Sequence, residues 1–250
     1  MRDSELKKLI SDNAVTPDYI KKDAFIRQHR SKGMPHVSTP GIILQQAGYM
    51  RKRVWIVPIL MIISAISRFY EANKALSLGM DYGQISEEIL MSISLFSPIL
   101  AVVGMIETFK AYYHNVYELE MVTVISARRV LFARMAAAGI ISFMTILICA
   151  GFMGTTMRIS TLRIVVVTLI PYLLTVLLCT ELERFDWARK NVFSCLLPVA
   201  IVIALMLMTY GGKSYVLLEM RTLLTVLIAL ILVQAFELRR IGMMEECAWN

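Results

Sequence analysis

Charge is scarce in this chain: only 18% of its 250 residues are charged, while 57% are apolar, where a soluble domain carries about 25% charge. Histidine is scarcer still. The three present, His29, His36 and His114, are too scattered for an HExxH zinc site or a catalytic triad, and no GxSxG occurs. The four cysteines, Cys149, Cys179, Cys195 and Cys247, form no CxxC and no ligand spacing, so neither structural disulfides nor zinc is expected. The run GGKS at residues 211–214 ends like a phosphate-binding loop, yet the glycine that loop needs five positions before Gly212 is replaced by Leu207. These gaps exclude an enzyme with its own catalytic, metal-binding or nucleotide-binding residues.

What the chain has is long apolar runs. Hydropathy places them at residues 54–70, 89–106, 135–153, 164–180, 192–210 and 217–236, each close to the ~20 residues that cross a ~30 Å hydrocarbon layer. The expected fold is therefore all-α, a polytopic membrane protein with six transmembrane helices; for the first and last runs the competing reading is a buried or re-entrant segment. With the N-terminus inside, 20 of the 26 lysines and arginines fall on the inner side, so the positive-inside rule puts both termini in the cytoplasm. The same asymmetry accounts for the net charge of +7 without nucleic acid as a partner. More than fifty polar residues precede the first run and no small-residue cleavage pattern follows it, so insertion through the spans themselves is expected, not a signal peptide.

Three regions follow. Residues 1–53 read as cytoplasmic N-terminal helices and an entry segment, residues 54–238 as the transmembrane domain, and residues 239–250 as a cytoplasmic tail. Thr16, Pro17 and Asp18 supply a helix start leading into residues 19–30, and the Gly33, Pro35, Pro40 and Gly41 cluster breaks the chain. From Pro40 the segment IILQQAGYMRKRVWIV reads as an interfacial helix bending at Arg51, Lys52 and Arg53, in preference to one continuous helix, with Trp55 in an aromatic belt. The outer loops are short, the largest at about residues 71–88, so function is expected within the bilayer or on its cytoplasmic side.

The densest mixed-charge stretch, YELEMVTVISARRVLFAR at residues 117–134, falls between the second and third spans, inside a cytoplasmic loop at about residues 111–130. Glu107 and Glu118 are eleven residues apart and so return to one helical face, near Lys110 and His114. The β-branched run at residues 122–125 favours a break, with Ser126 capping the next helix. Helix, turn and helix make a shape that can dock a partner; the alternative is charges that snorkel and satisfy one another at the interface.

The ELE and VTVISARRVLFAR segments resemble the cytoplasmic loop of the ABC-2 family of ABC transporter permeases, especially small six-span bacterial ones. The matching positions are Tyr117, Glu118, Leu119, Glu120, Thr123, Ser126, Arg128, Arg129 and Arg134. The likeness extends to the cytoplasmic N-terminal segment, the six spans and the lack of a nucleotide motif. It implies that this loop is the coupling helix, seated on a separate ABC ATPase subunit that binds ATP and Mg, and that a second permease copy or a homologous permease completes the pathway in the bacterial cytoplasmic membrane. The implied activity is ATP-driven transport, with export of a hydrophobic, lipid-like or peptide-like compound favoured by so apolar an interior. One departure is that only residues 211–218 separate spans five and six, where many members carry re-entrant helices.

Polar residues inside the spans are sparse. Ser92, Ser94 and Ser97 in span two are candidates for a substrate path, against the more usual role of bonding their own backbone or allowing close packing. The 17 methionines form no stripe and read as adaptable packing. From another class comes the reading of a membrane-embedded regulator or scaffold that binds a cytoplasmic partner and transports nothing.

Overall fold

A computed structural model describes residues 39–50, 52–78, 82–113, 127–157, 160–185, 191–211 and 219–247. Residues 1–38, including the expected helix at 19–30, lie outside the described residues, and a compact unit begins at Thr39. Every described element is helical: α1 (Thr39–Tyr49), a 3-10 turn (Lys52–Trp55), α2 (Ile56–Ser77), α3 (Tyr82–Tyr113), α4 (Ala127–Met157), α5 (Thr161–Leu182), a second 3-10 turn (Val192–Cys195), α6 (Leu196–Gly211) and α7 (Met220–Cys247).

Five of these helices, α2, α3, α4, α5 and α7, are long and apolar enough to cross a membrane. This is the architecture of a multi-pass membrane protein. The run at 192–210 differs from the other five: it folds as a 3-10 turn followed by a helix of only 16 residues. Asn191 accepts a hydrogen bond from the Phe193 backbone N–H, which caps that turn. Elsewhere the helices outrun their apolar windows. α2 reaches Ser77 and α3 starts at Tyr82, so most of the stretch read as an outer loop at 71–88 is helix. α7 likewise passes residue 238 without a break and ends at Cys247.

α3 and α5 form the centre, packing on each other more extensively than any other pair, with α4 against both and α2 against α3 and α4. Small side chains permit this. Ser94, Ser97, Ala101, Gly104 and Thr108 recur along α3 at helical spacing and are all buried. At Gly104 a Cβ would lie 3.3 Å from the Ala138 Cβ of α4, so this glycine sets the α3–α4 approach. Gly154 does the same at the α4–α5 turn, where a Cβ would meet the Thr161 Cβ at 3.1 Å and its Cα at 3.3 Å. In the entry segment α1 ends at Tyr49, and a 3-10 turn at Lys52–Trp55 precedes α2. α1 lies on α4, with Ile43, Ala47, Met50 and Val54 packed around Ala137, Ala138 and Ile141.

Candidate functional site

Antiparallel connections give the bundle two ends. The end at which α3 finishes and α4 starts also holds the start of α2, the finish of α5, the start of α6 and the finish of α7. Buried polar and charged side chains collect there. Glu107 and Thr108 near the end of α3 are 4% and 1% exposed. Arg134 of α4 donates its Nε to Gln46 Oε1 of α1 at 3.1 Å. Glu183, just past α5, is 6% exposed and accepts the Cys195 thiol at 3.7 Å. An unusually acidic and basic pair of span ends, ELER at 181–184 and FELRR at 236–240, supplies the rest.

Arg184 is the hub of that remainder. Its guanidinium pairs with Glu181 at 2.8 Å and with Glu237 of α7, whose side chain is only 9% exposed. Arg240 stands at 4.0 Å from the other oxygen of Glu237. Burying a carboxylate costs several kcal/mol unless it is paired, so the arginine on α5 makes the burial of Glu237 possible and ties the two helices together. Arg184 Nε, Ser194 Oγ and Gln234 Oε1 are buried without a hydrogen-bond partner among the described residues.

The opposite end is more open. The Arg68 and Glu71 ion pair, at 3.1 Å, is about half exposed or more on both sides. With Glu88 it edges a cavity of about 120 Å³ between α2 and α3, floored by Ala72, Ile85 and Ile89. Glu219 and Arg221 at the start of α7 are exposed.

Of the residues expected to couple to a partner, Tyr117, Glu118, Leu119, Glu120, Thr123 and Ser126 lie outside the described residues. Arg128 and Arg129 stand in the first turn of α4, which begins at Ala127, and α3 continues as helix to Tyr113 past Glu107 and Lys110. The three serines of span two are described, and each spends its hydroxyl on its own helix: Ser92 on the Ile89 carbonyl at 2.9 Å, Ser94 on Met91 at 2.8 Å and Ser97 on Ser94 at 2.9 Å. The last bond has a specific cause. Pro98 has no N–H to give the carbonyl four residues back, which is that of Ser94, and the neighbouring Ser97 hydroxyl fills it instead.

Buried threonines behave alike: Thr108, Thr145, Thr168, Thr175 and Thr180 each donate to the carbonyl four residues earlier. The Tyr172 hydroxyl shares a hydrogen bond with Ser142, linking α5 to α4. Sequence reasoning missed the joining of Arg184 to Glu237 across 53 positions; charged residues at the ends of two spans on one side were the available signal. Among the described residues no group of three or more histidine, cysteine or acidic side chains could hold a metal ion.

No family model, curated protein or solved structure matches this chain.

Proposed function

We propose that this chain is the transmembrane permease subunit of an ATP-driven transporter of the ABC-2 kind, bound at its α3–α4 end to a separate ATPase. The observation that carries the reading is the gathering of charged side chains, buried at Glu107, Glu183 and Glu237 and partly buried at Arg134 and Arg184, at the same end as the ELE-to-ARR connection. A bundle end that receives mechanical force needs helices tied to one another there, so that motion of one is passed on. α3 and α4 are long helices that reach that end, at 32 and 31 residues.

In this reading the membrane is crossed six times with both termini in the cytoplasm. α6 covers about 24 Å at 1.5 Å per residue, and its preceding 3-10 turn adds about 8 Å, together enough for a hydrocarbon core of about 30 Å. Glu118 and Glu120 contact basic or backbone groups of the ATPase, Arg128 and Arg129 flank that contact, and ATP with Mg is held on the partner. A second permease completes the pathway, and a hydrophobic, lipid-like or peptide-like compound is exported. The local hydrogen bonds of Ser92, Ser94 and Ser97 favour a packing role for these residues over a substrate path.

The test is co-purification in mild detergent. The unsubstituted chain retains an ATPase whose turnover rises in the assembled complex, and reversing both Glu118 and Glu120 to Lys releases it while membrane insertion is unchanged. Retention of the ATPase by the double variant counts against the docking assignment. A bound partner without stimulated hydrolysis is the outcome expected of a scaffold.

A further inference from the structure

Three charged side chains edge the cavity between α2 and α3, and one of them is unmatched. Arg68 gives one of its N–H groups to Glu71 at 3.1 Å, while Glu88 has no ion pair or hydrogen bond among the described residues. The lining is thus one guanidinium and two carboxylates over an aliphatic floor, with no aromatic ring among the described residues. That inventory selects a ligand. A lone anion meets two carboxylates, and a lone cation leaves the remaining guanidinium N–H groups without an acceptor. A quaternary ammonium has no N–H to give, and the aromatic faces that hold such groups are missing here. A primary ammonium joined to a phosphate fits every part: the ammonium donates to the carboxylates and the phosphate accepts from Arg68.

The level and surroundings of the cavity suit a lipid. α3 carries no charged residue between Glu88 and Glu107, a rise of about 28 Å that matches a hydrocarbon layer of ~30 Å, so Glu88 stands where headgroups begin. Ser92, Leu95 and Ile99 follow Glu88 along one face of α3. Leu95 is half-buried and Ile99 is 37% exposed, so apolar surface continues from the cavity toward the middle of the helix. On α2, Leu60 is 52% exposed and shares a face with Glu71. We propose that this cavity binds the headgroup of phosphatidylethanolamine, with its ammonium between Glu71 and Glu88 and its phosphate on Arg68. An acyl chain then descends along Leu95 and Ile99. Free phosphoethanolamine brings the same charges but leaves Leu60, Leu95 and Ile99 without a hydrocarbon partner. The inference requires α2 and α3 to cross a membrane and is independent of any ATPase.

Photolabelling of the full-length protein in nanodiscs tests it. Phosphatidylethanolamine with a diazirine in its acyl chain is expected to label α3 around Leu95 and Ile99 about threefold or more as strongly as phosphatidylcholine with the same chains. Glu88→Gln brings the two lipids to equal labelling, whereas Glu88→Asp keeps the preference; Glu88 is exposed, so neither change shifts the thermal midpoint. Equal labelling by the two lipids in the unsubstituted protein overturns the proposal, as does an unchanged preference in the glutamine variant. Abolition of the labelling by millimolar phosphoethanolamine assigns the cavity to a soluble ligand and overturns the lipid. Glu88 stands at the opposite end of the bundle from the α3–α4 connection, so a negative result here leaves ATPase co-purification unaltered.

Discussion

α3 and α7 are both long apolar helices, yet they are held in opposite ways. In the apolar window of α3 67% of residues are buried, and in that of α7 17%. α3 is surrounded by α2, α4, α5 and α6. Small residues bring its neighbours close, and its hydroxyls bond to its own carbonyls. α7 packs chiefly on α5 and touches it in two places: an apolar patch where Leu223 meets Val166, Val167 and Ile170, and the polar contact of Glu237 with Arg184. Between and around them Ile228, Leu232, Val233 and Phe236 face outward. Lipid tails are as apolar as these side chains, so burial gives no hydrophobic gain there and close packing or polar pairing must hold a helix in place. α3 relies on the first and α7 on the second.

The largest expected effect comes from breaking the close packing. Gly104→Leu forces a branched side chain into a space where even a Cβ sits 3.3 Å from Ala138, and is expected to destabilise by about 3 kcal/mol. The thermal midpoint in detergent reads this directly. The same enlargement at Ala229, exposed on α7, leaves the midpoint unchanged. Equal losses at the two positions would mean that α7 is packed as tightly as α3.

Breaking the polar contact comes next. Arg184→Ala leaves the Glu237 carboxylate buried with only the more distant Arg240, and a cost of about 2 kcal/mol is expected, below the 3–5 of a fully buried pair because Arg184 is partly exposed. Hydrogen exchange should rise in the last turns of α7 and stay slow in α3. Replacing both Arg184 and Glu237 by Ala is expected to cost less than Arg184→Ala alone, since no charge is then stranded. A larger loss from the double variant would show that the two side chains act separately.

The two halves of this contrast were unequally visible in the sequence. Apolar runs mark where hydrocarbon is crossed, and they located the helices that contain them. They do not mark where helices end: residues 71–77 and 82–88 are polar enough to read as a loop, yet local hydrogen bonding carries the helix through them. The short apolar helix α6 was read at full span length because a 3-10 turn and an α-helix share the same hydropathy. Glu237 and Arg184 were hidden for another reason: an ion pair across 53 residues depends on which helices become neighbours, and composition carries no record of that. The ELE stretch was legible as a motif, but its residues 117–126 lie outside the described ones, so its docking role rests on sequence and on the polar end beside it.

Ser97 gives the smallest effect and the sharpest test of what a buried hydroxyl in α3 is for. Its partner, the Ser94 carbonyl, is the one that Pro98 cannot serve. Ser97→Ala is therefore expected to cost about 1 kcal/mol. In a Pro98→Ala background the backbone N–H returns to that carbonyl and the hydroxyl becomes redundant, so the same Ser97→Ala change should cost close to nothing. The thermal midpoints of the four proteins in this cycle give the coupling between the two positions. A Ser97→Ala cost that is the same with and without the proline means that the hydroxyl serves something other than the gap in its own helix, and a passing substrate then becomes the group to look for.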